Sequence, residues 1–210
     1  MGDRVPRTEM QPAARERLLE AMLSELGERG YGAMSVADAL REAGVSRAGF
    51  EAEFADKDAC LFAAYGQLTE RLARRTTEGC PLGDEWPTRV RQGLKTLLEE
   101  LAAAPAMARV AIRAFPAISP EARSRYEDFV EGFGPLLRDG RELAEAGAEL
   151  PGEVEMLAVG AAEAIVFEEV EAGRAAQLPD LAPAILFSVL VPFLGPEAAS
   201  AEMERAQQAK

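Results

Sequence analysis

Residues 35–54, SVADALREAGVSRAGFEAEF, predict two short helices joined by a glycine turn. Ser35 is a favourable N-cap, and Asp38 three residues later completes an S-x-x-D helix start. Gly44 is expected to end the first helix, because glycine adopts the left-handed conformation without strain, and Ser46 is expected to cap the second. This arrangement is typical of units that place their second helix in the major groove of DNA. An ordinary helical hairpin in an all-α core is the alternative.

The second of these helices is expected to have one buried face and one outward face. Phe50 and Phe54, four residues apart, point inward in this interpretation. Arg47 is the only long cationic side chain on the helix and is expected to reach a base edge or a phosphate, while Lys57 holds the DNA backbone. The predicted DNA-contacting residues are the cap serines, the outward face and this lysine: Ser35, Ser46, Arg47, Ala48, Gly49, Glu51, Ala52 and Lys57.

The flanking residues extend the pattern. Upstream, an apolar helical stripe ends at E-R-G-Y (28–31) and comprises Leu18, Leu19, Met22, Leu23 and Leu26. Downstream, F-x-x-x-F-x-D-K (50–57) leads into a further amphipathic helix that contains A-A-Y (63–65). Over about residues 12–75 the chain resembles the N-terminal domain of the tetracycline-repressor (TetR) family of transcriptional regulators.

The Ala-, Leu- and Glu-rich composition and the absence of period-two alternation predict an all-α protein, and the helical pattern gives about nine helices. Residues 1–11 are expected to form a flexible arm. The resemblance implies a three-helix helix-turn-helix DNA-binding domain at 12–58 and a helical ligand-binding and dimerisation domain at 59–210. It further implies a one-component regulator, a repressor, that binds a palindromic double-stranded DNA operator as a homodimer. A small apolar effector is expected to release the DNA, and no cofactor is expected.

Two glutamates depart from the family pattern. Family members commonly have a tyrosine after the position of Phe50, and a histidine or tyrosine two residues later, where this chain has Glu51 and Glu53. A carboxylate facing the DNA backbone is repulsive and gives no counterion release. Three interpretations stay open: the glutamates turn away, one of them accepts a hydrogen bond from a cytosine amino group, or DNA binding is weakened or lost. The last leaves a TetR-like ligand-binding or protein-interaction module as the alternative function.

Charge is distributed unevenly along the chain. The net charge is −13 over 210 residues. Residues 1–75 contain 11 basic and 13 acidic side chains, a net charge of −2, whereas residues 76–210 contain 12 basic and 23 acidic side chains, a net charge of −11. The acidic excess therefore lies mainly outside the predicted DNA-binding domain, although an acidic chain is unlike a generic nucleic-acid binder.

The composition disfavours catalysis and metal binding. The chain has no histidine, which removes His-based triads, His zinc sites and the commonest general base. Cys60 and Cys80 are too few for a metal site and are expected to be free thiols in a reducing cytoplasm. The N-terminal ten residues lack the apolar region of a signal peptide. The apolar segment 181–195 is too short to span a bilayer, so no membrane partner is expected.

Beyond residue 78 the helical pattern predicts segments at about 87–103, 105–115, 120–146, 152–173 and 180–194. The last two have apolar stripes suited to a four-helix dimer interface, and Gly160, Ala161 and Ala164 permit close helix approach. The predicted interface consists of Val159, Ala162, Ile165, Val166, Ile185, Val189 and Phe193. Packing of the same stripes within one chain is the alternative.

Bulky apolar residues between the middle helices predict a ligand pocket. They are Trp86, Met107, Phe115, Tyr126, Phe129 and Phe133. An apolar lining with few cations favours a hydrophobic or cationic molecule over an anion. Residues at this spacing are also typical of plain core, which is the alternative interpretation.

Overall fold

The structure, a computed structural model, describes residues 10–80, 83–144 and 150–208. Within those residues it has nine α-helices and no strand, which confirms the predicted all-α class. The helices are α1 (Pro12–Arg29), α2 (Val36–Ala43), α3 (Arg47–Glu53), α4 (Lys57–Glu78), α5 (Trp86–Ala103), α6 (Pro105–Arg109), α7 (Pro120–Glu131), α8 (Val154–Glu171) and α9 (Ala182–Gln208).

Two compact units divide between Leu68 and Thr69, inside α4. The sequence analysis placed the boundary earlier, after residue 58, where α4 has only just begun. The N-terminal unit therefore includes the first half of α4, and the C-terminal unit begins with its second half. Residues 1–9 of the predicted arm lie outside the described residues.

Helix caps fix the short helices of the N-terminal unit. The Ser35 hydroxyl accepts a hydrogen bond from the Asp38 amide at 3.2 Å, and the Ser46 hydroxyl accepts one from the Gly49 amide at 3.0 Å. Gly44 ends α2 in the left-handed conformation, at φ 66° and ψ 33°. These caps satisfy backbone donors that a helix start leaves without partners, so α2 and α3 begin and end where the sequence predicts.

Helix α1 supplies the core against which α2 packs. The predicted apolar stripe of α1, from Leu18 to Leu26, is buried. Glu25 is buried as well, and its carboxylate accepts a hydrogen bond from the Ser35 amide at 3.1 Å. A buried carboxylate is costly unless it has hydrogen-bond partners, so this contact fixes the start of α2 relative to α1.

In the C-terminal unit, α5 and α8 both pack against α9. Trp86 meets Phe193 edge to face, with ring centroids 5.2 Å apart, and donates its indole N–H to the Leu136 carbonyl at 3.1 Å. Gly140 lies against these two rings, since a Cβ atom added there would be 2.5 Å from Trp86. The close packing of backbone on aromatic rings therefore requires glycine at this position.

One predicted helix end is wrong. The helix expected to run from 120 to about 146 ends at Glu131, and a 3₁₀ segment, Gly134–Glu142, follows it. Gly132 and Phe133 separate the two segments, and Pro135 lies in the first turn of the 3₁₀ segment, where a missing backbone N–H is tolerated.

The predicted end of the last helix, at 194, coincides with a kink. Gly195 has a non-helical φ of 73°, and helical structure resumes after it and continues to Gln208.

Apolar residues of α9 contribute to the core of the C-terminal unit. The segment Ala175–Gln208 is long and apolar enough to cross a membrane by length and composition alone. In the structure Ile185, Leu186 and Leu190 are buried within the C-terminal unit. These three side chains form part of the core of that unit.

The substitution Gly140→Ala tests the packing around Trp86. The added methyl group should overlap two rigid aromatic rings and lower the free energy of unfolding by about 1–3 kcal/mol. Gly152→Ala is the matched control, because no atom lies within 4 Å of a Cβ added there. Urea denaturation measures both variants, and equal stabilities would contradict the packing described.

Candidate DNA-binding surface and ligand cavity

Helix α3 presents a small exposed face. Arg47, Ala48, Glu51 and Ala52 are exposed, whereas Gly49 is half-buried. Phe50 and Phe54 are buried, with ring centroids 5.7 Å apart. The structure thus brings the predicted outward residues together on one face, and two of them, Arg47 and Glu51, have long polar side chains.

Those two side chains pair with each other. The Arg47 Nε donates to a Glu51 carboxylate oxygen at 2.7 Å across one helical turn. Both side chains are more than half exposed, so water screens the pair and its contribution to stability is small. The charge of Glu51 is nevertheless compensated locally on the face that α3 presents.

Glu53 has a different partner. It forms an ion pair with Arg15 of α1, and the Arg15 guanidinium lies 5.7 Å from the centre of the Phe54 ring. The carboxylate therefore turns towards α1. Of the two glutamates that depart from the family pattern, only Glu51 remains on the exposed face of α3 with Arg47.

Lys57, the predicted phosphate contact, is held by Tyr31. Its Nζ donates to the Tyr31 carbonyl at 3.1 Å and lies 3.8 Å from the centre of the Tyr31 ring. The Tyr31 hydroxyl donates to Asp58 at 2.7 Å, and this hydrogen bond raises the pKa of Tyr31. An ammonium group has three donors, so a phosphate contact is compatible with the bond to Tyr31.

Every cation of residues 10–68 has a partner within the N-terminal unit. Arg29 and Arg41 both bind Asp38, at 2.8 and 2.7 Å, and the hydrogen bond from Arg41, followed by that from Arg29, lowers the pKa of Asp38. Arg17 donates to two backbone carbonyls. The six cations are Arg15, Arg17, Arg29, Arg41, Arg47 and Lys57, against ten carboxylates in the same residues. DNA binding by this unit must therefore rearrange or share existing pairs.

A cavity of about 240 Å³ lies in the C-terminal unit. Its wall is mostly apolar and is formed by α4, α5, α7, α8, α9 and the 3₁₀ segment after α7. Of the predicted pocket residues, Tyr126, Phe129 and Phe133 line it. The other three, Trp86, Met107 and Phe115, do not line it.

Two of those three residues lie in the core of the unit. Phe115 is 0% exposed, and Trp86 packs against Phe193. Trp86 shares α5 with lining residues, and Phe115 directly follows the π-helical residues Val110–Ala114, which also contribute to the wall. Helical spacing alone therefore does not separate core from cavity wall.

The cavity also has polar groups that the sequence analysis missed. Arg89 donates to Asp139 at 2.6 Å, and Tyr126 donates to Glu163. Cys80 lines the same wall, and burial raises the pKa of its thiol. These contacts join residues 37 or 50 positions apart, and no local spacing in the sequence indicates them.

Most of the residues predicted for the dimer interface lie in the cavity wall or the core of the C-terminal unit. Val159, Ala162, Val166 and Val189 line the cavity. Ile185 and Phe193 are buried in the same unit, and Ile165 is half-buried. Because α8 is apolar on nearly every side, its periodicity does not distinguish the face that turns inward.

The opposite face of α8 is apolar and exposed. Met156 and Leu157 are 55% and 64% exposed, and small exposed residues continue the stripe at Gly160, Ala161 and Ala164. On α9, Phe187 and Val191 are half-buried. We define the outer face of α8 as Met156, Leu157, Gly160, Ala161 and Ala164.

The side chains of this chain that could bind a metal ion are its carboxylates and its two thiols. Among the residues that the structure describes, no group of three or more Cys, Asp or Glu side chains is suited to hold a metal ion. The two cysteines are both free thiols, and burial raises the pKa of Cys60 to about 12.

Comparisons with known proteins agree with this architecture. Residues 18–64 match the family described as bacterial regulatory proteins, tetR family. No curated protein matches the chain. The fatty acid degradation regulator FadR from Bacillus halodurans has a similar fold, with a TM-score of 0.75 at 17% identity over 87% of this chain and 97% of that chain.

Two further solved structures share the fold. A tetR-family regulatory protein from Rhodococcus RHA1 has a TM-score of 0.63 at 18% identity, over 84% of this chain and 98% of that chain. A TetR-family transcription regulator from Marinobacter aquaeolei VT8 has a TM-score of 0.60 at 19% identity, over 94% of this chain and 95% of that chain.

Proposed function

We propose that this chain is a cytoplasmic transcriptional repressor. Its residues 18–64 match the tetR family of bacterial regulatory proteins, and its fold is that of TetR-family regulators. It binds a palindromic operator as a homodimer, and a small apolar effector releases it. The exposed face of α3, which begins at a capped serine and carries Arg47 beside Glu51, is the observation that carries the proposal.

In this proposal Arg47 and Glu51 act together on a G·C base pair. Arginine donates to the O6 and N7 atoms of guanine, and glutamate accepts from the N4 amino group of cytosine. The two side chains are already within 2.7 Å of each other. Glu51 then orients Arg47 and contacts a base, rather than only repelling phosphates.

Backbone contacts position the helix. The capped start of α2 at Ser35 and the start of α4 at Lys57 are the proposed phosphate contacts, since helix N-termini and cations both favour anionic oxygens. These contacts carry no sequence information, so they set affinity and its salt dependence rather than specificity.

Effector release is proposed to act through α4. This helix contributes Leu72 and Thr76 to the cavity wall, and its first residue, Lys57, contacts Tyr31 in the N-terminal unit. Two DNA-binding units of a dimer must match half-sites a fixed distance apart. An effector that binds the free protein more tightly than the operator-bound protein therefore lowers operator affinity by that same ratio.

Dimerisation is proposed to use the outer face of α8 together with the half-buried side chains of α9. Exposed apolar stripes of this kind mark association surfaces, and two helices from each subunit form a four-helix interface. The small residues at Gly160, Ala161 and Ala164 permit the close approach of two helices.

A second candidate function follows from one observation. Because each cation of residues 10–68 already has a partner, the chain could be a TetR-like ligand-binding or protein-interaction module without DNA binding. A salt-dependent binding assay with genomic fragments separates the two functions, since an operator-binding protein selects defined fragments and the alternative selects none.

The substitution Arg47→Ala tests the base contact. Loss of a bidentate contact to guanine should cost about 1–3 kcal/mol of operator affinity and relax the preference at that base pair. Arg74→Ala is the matched control, because Arg74 forms an equivalent exposed pair with Glu78 in the C-terminal unit. Fluorescence anisotropy with a selected operator measures both variants. Unchanged affinity of Arg47→Ala for the operator would contradict the base contact.

The substitution Leu157→Asp tests the dimer. A carboxylate placed in an apolar interface is buried without a partner, which is strongly unfavourable, so the variant should sediment as a monomer at micromolar concentration. Gln177→Asp adds the same charge at an exposed site outside the proposed interface and should remain dimeric. A monomeric wild-type chain at that concentration would contradict the proposal.

A further inference from the structure

Glu163 lies on the cavity wall with an uncharged partner. Its carboxylate accepts a hydrogen bond from the Tyr126 hydroxyl, and the residue is half-buried. No ion pair with Glu163 occurs within the part of the chain that the structure describes. Because a carboxylate can accept about four hydrogen bonds, this group retains acceptor capacity for an occupant of the cavity.

The charge of Glu163 is the one that the cavity wall does not compensate. Among the described residues, the ionised side chains of the wall are Arg89, Asp139 and Glu163, which give it a net charge of −1. Arg89 donates to Asp139 at 2.6 Å, so these two charges compensate each other. A carboxylate that is partly removed from water is unfavourable unless it is paired, and a cation bound in the cavity would supply the pair.

Glu163 also lines a second, more open cavity on the surface of the same unit. This outer cleft has a volume of about 710 Å³, and most of its lining residues are exposed. It shares Tyr126, Val130, Pro135, Val159 and Glu163 with the smaller cavity, so the Tyr126–Glu163 pair lies where the two meet. A charged group bound to Glu163 therefore stays close to water while an apolar group attached to it enters the smaller cavity.

The outer cleft is itself acidic. Five carboxylates and three guanidinium groups line it, a net charge of −2. Arg123 donates to Glu127 at 2.9 Å, and Arg141 donates to Glu155 at 2.7 Å. The hydrogen bond with Glu127, and to a smaller degree the charge of Glu163, raise the pKa of Arg123, so Arg123 acts on Glu163 through its charge without forming an ion pair with it. The direct contact is left to a ligand cation.

Aromatic rings line the smaller cavity together with Glu163. They belong to Tyr126, Phe129 and Phe133, and the two phenylalanine rings meet edge to face with centroids 5.1 Å apart. The faces of aromatic rings attract cations. An anion, by contrast, would add to the negative charge of Glu163 in a mostly apolar wall.

We propose that the effector is an apolar molecule with one protonated amine, and that this amine donates to the Glu163 carboxylate while the apolar part fills the cavity. The inference rests on the proposed function, and it narrows the hydrophobic or cationic class that the sequence predicts to molecules that are both. The cavity volume of about 240 Å³ lies just below the range of about 300–1,000 Å³ that is usual for ligand pockets, so the apolar part is small.

Calorimetric titration with octylamine, octanol and octanoate compares a cationic, an uncharged and an anionic head group on similar apolar chains. Butylbenzene, which has no head group, reports binding by the apolar wall alone. Glu163→Gln removes the charge and keeps an acceptor oxygen for Tyr126. Glu168→Gln is the matched control, because it makes the same change on α8 at an exposed residue that lines neither cavity. Tyr126→Phe removes the hydroxyl group and keeps the Glu163 carboxylate.

The wild-type chain should bind octylamine about tenfold more tightly than octanol, as expected for a hydrogen bond between charged groups, and octanoate more weakly than octanol. Glu163→Gln should weaken octylamine binding about tenfold and leave butylbenzene binding within about twofold. Glu168→Gln should keep the octylamine affinity, since an exposed charge outside the cavity contributes little. Tyr126→Phe should keep it as well, because the carboxylate remains.

Three results would overturn the inference: octanol or octanoate binding the wild-type chain as tightly as octylamine, an unchanged octylamine affinity in Glu163→Gln, or an equal loss in Tyr126→Phe. If Glu163→Gln loses butylbenzene binding too, the order of the three head groups on the wild-type chain decides. Failure of the inference is distinguishable from failure of the proposed function. If butylbenzene and octanol bind and release operator DNA with no preference for octylamine, only the inference fails. If none of the probes binds the wild-type chain, the effector part of the proposed function fails as well.

Discussion

The ion pair between Arg47 and Glu51 joins two of the three long charged side chains of α3 on its exposed face, with Nε and a carboxylate oxygen 2.7 Å apart. In an acidic chain, a helix can approach DNA only if its own carboxylates are compensated, because the phosphate backbone repels them. Glu53 is compensated differently, by Arg15 on α1. The DNA-binding surface that we propose depends on the different partners of the two glutamates. Glu53 attaches α3 to α1, and Glu51 stays beside Arg47, the residue proposed to contact guanine.

In the C-terminal unit a similar division separates the two sides of α8. One side contributes Val159, Ala162 and Val166 to the cavity, while the other exposes Met156 and Leu157. A helix that is apolar on nearly every side must bury both faces to avoid a large exposed hydrophobic patch. The cavity on one side and the second subunit that we propose on the other would meet that requirement together, so the proposed function assigns effector binding and dimerisation to one helix.

The sequence predicts what depends on short-range chemistry. The caps at Ser35 and Ser46 and the left-handed Gly44 are local, and the structure has them where the spacing indicates. The Arg47–Glu51 pair also follows a helical spacing that the sequence contains. The long-range contacts do not follow from any local spacing. Tertiary packing brings Arg15 to Glu53 and Arg89 to Asp139, and it also determines which face of α8 turns inward.

The central claim is that Glu51 contacts a base, and the substitutions Glu51→Tyr and Glu51→Gln test it most directly. Operator and scrambled duplexes are titrated with each variant at two salt concentrations. The account predicts that both variants bind scrambled DNA more tightly, since a repulsive charge is removed. It also predicts that Glu51→Tyr loses operator affinity because the carboxylate contact to cytosine is lost, whereas Glu51→Gln, which keeps a neutral acceptor oxygen, loses less. Tighter binding to both duplexes by the same factor would contradict it, because Glu51 would then only repel the DNA.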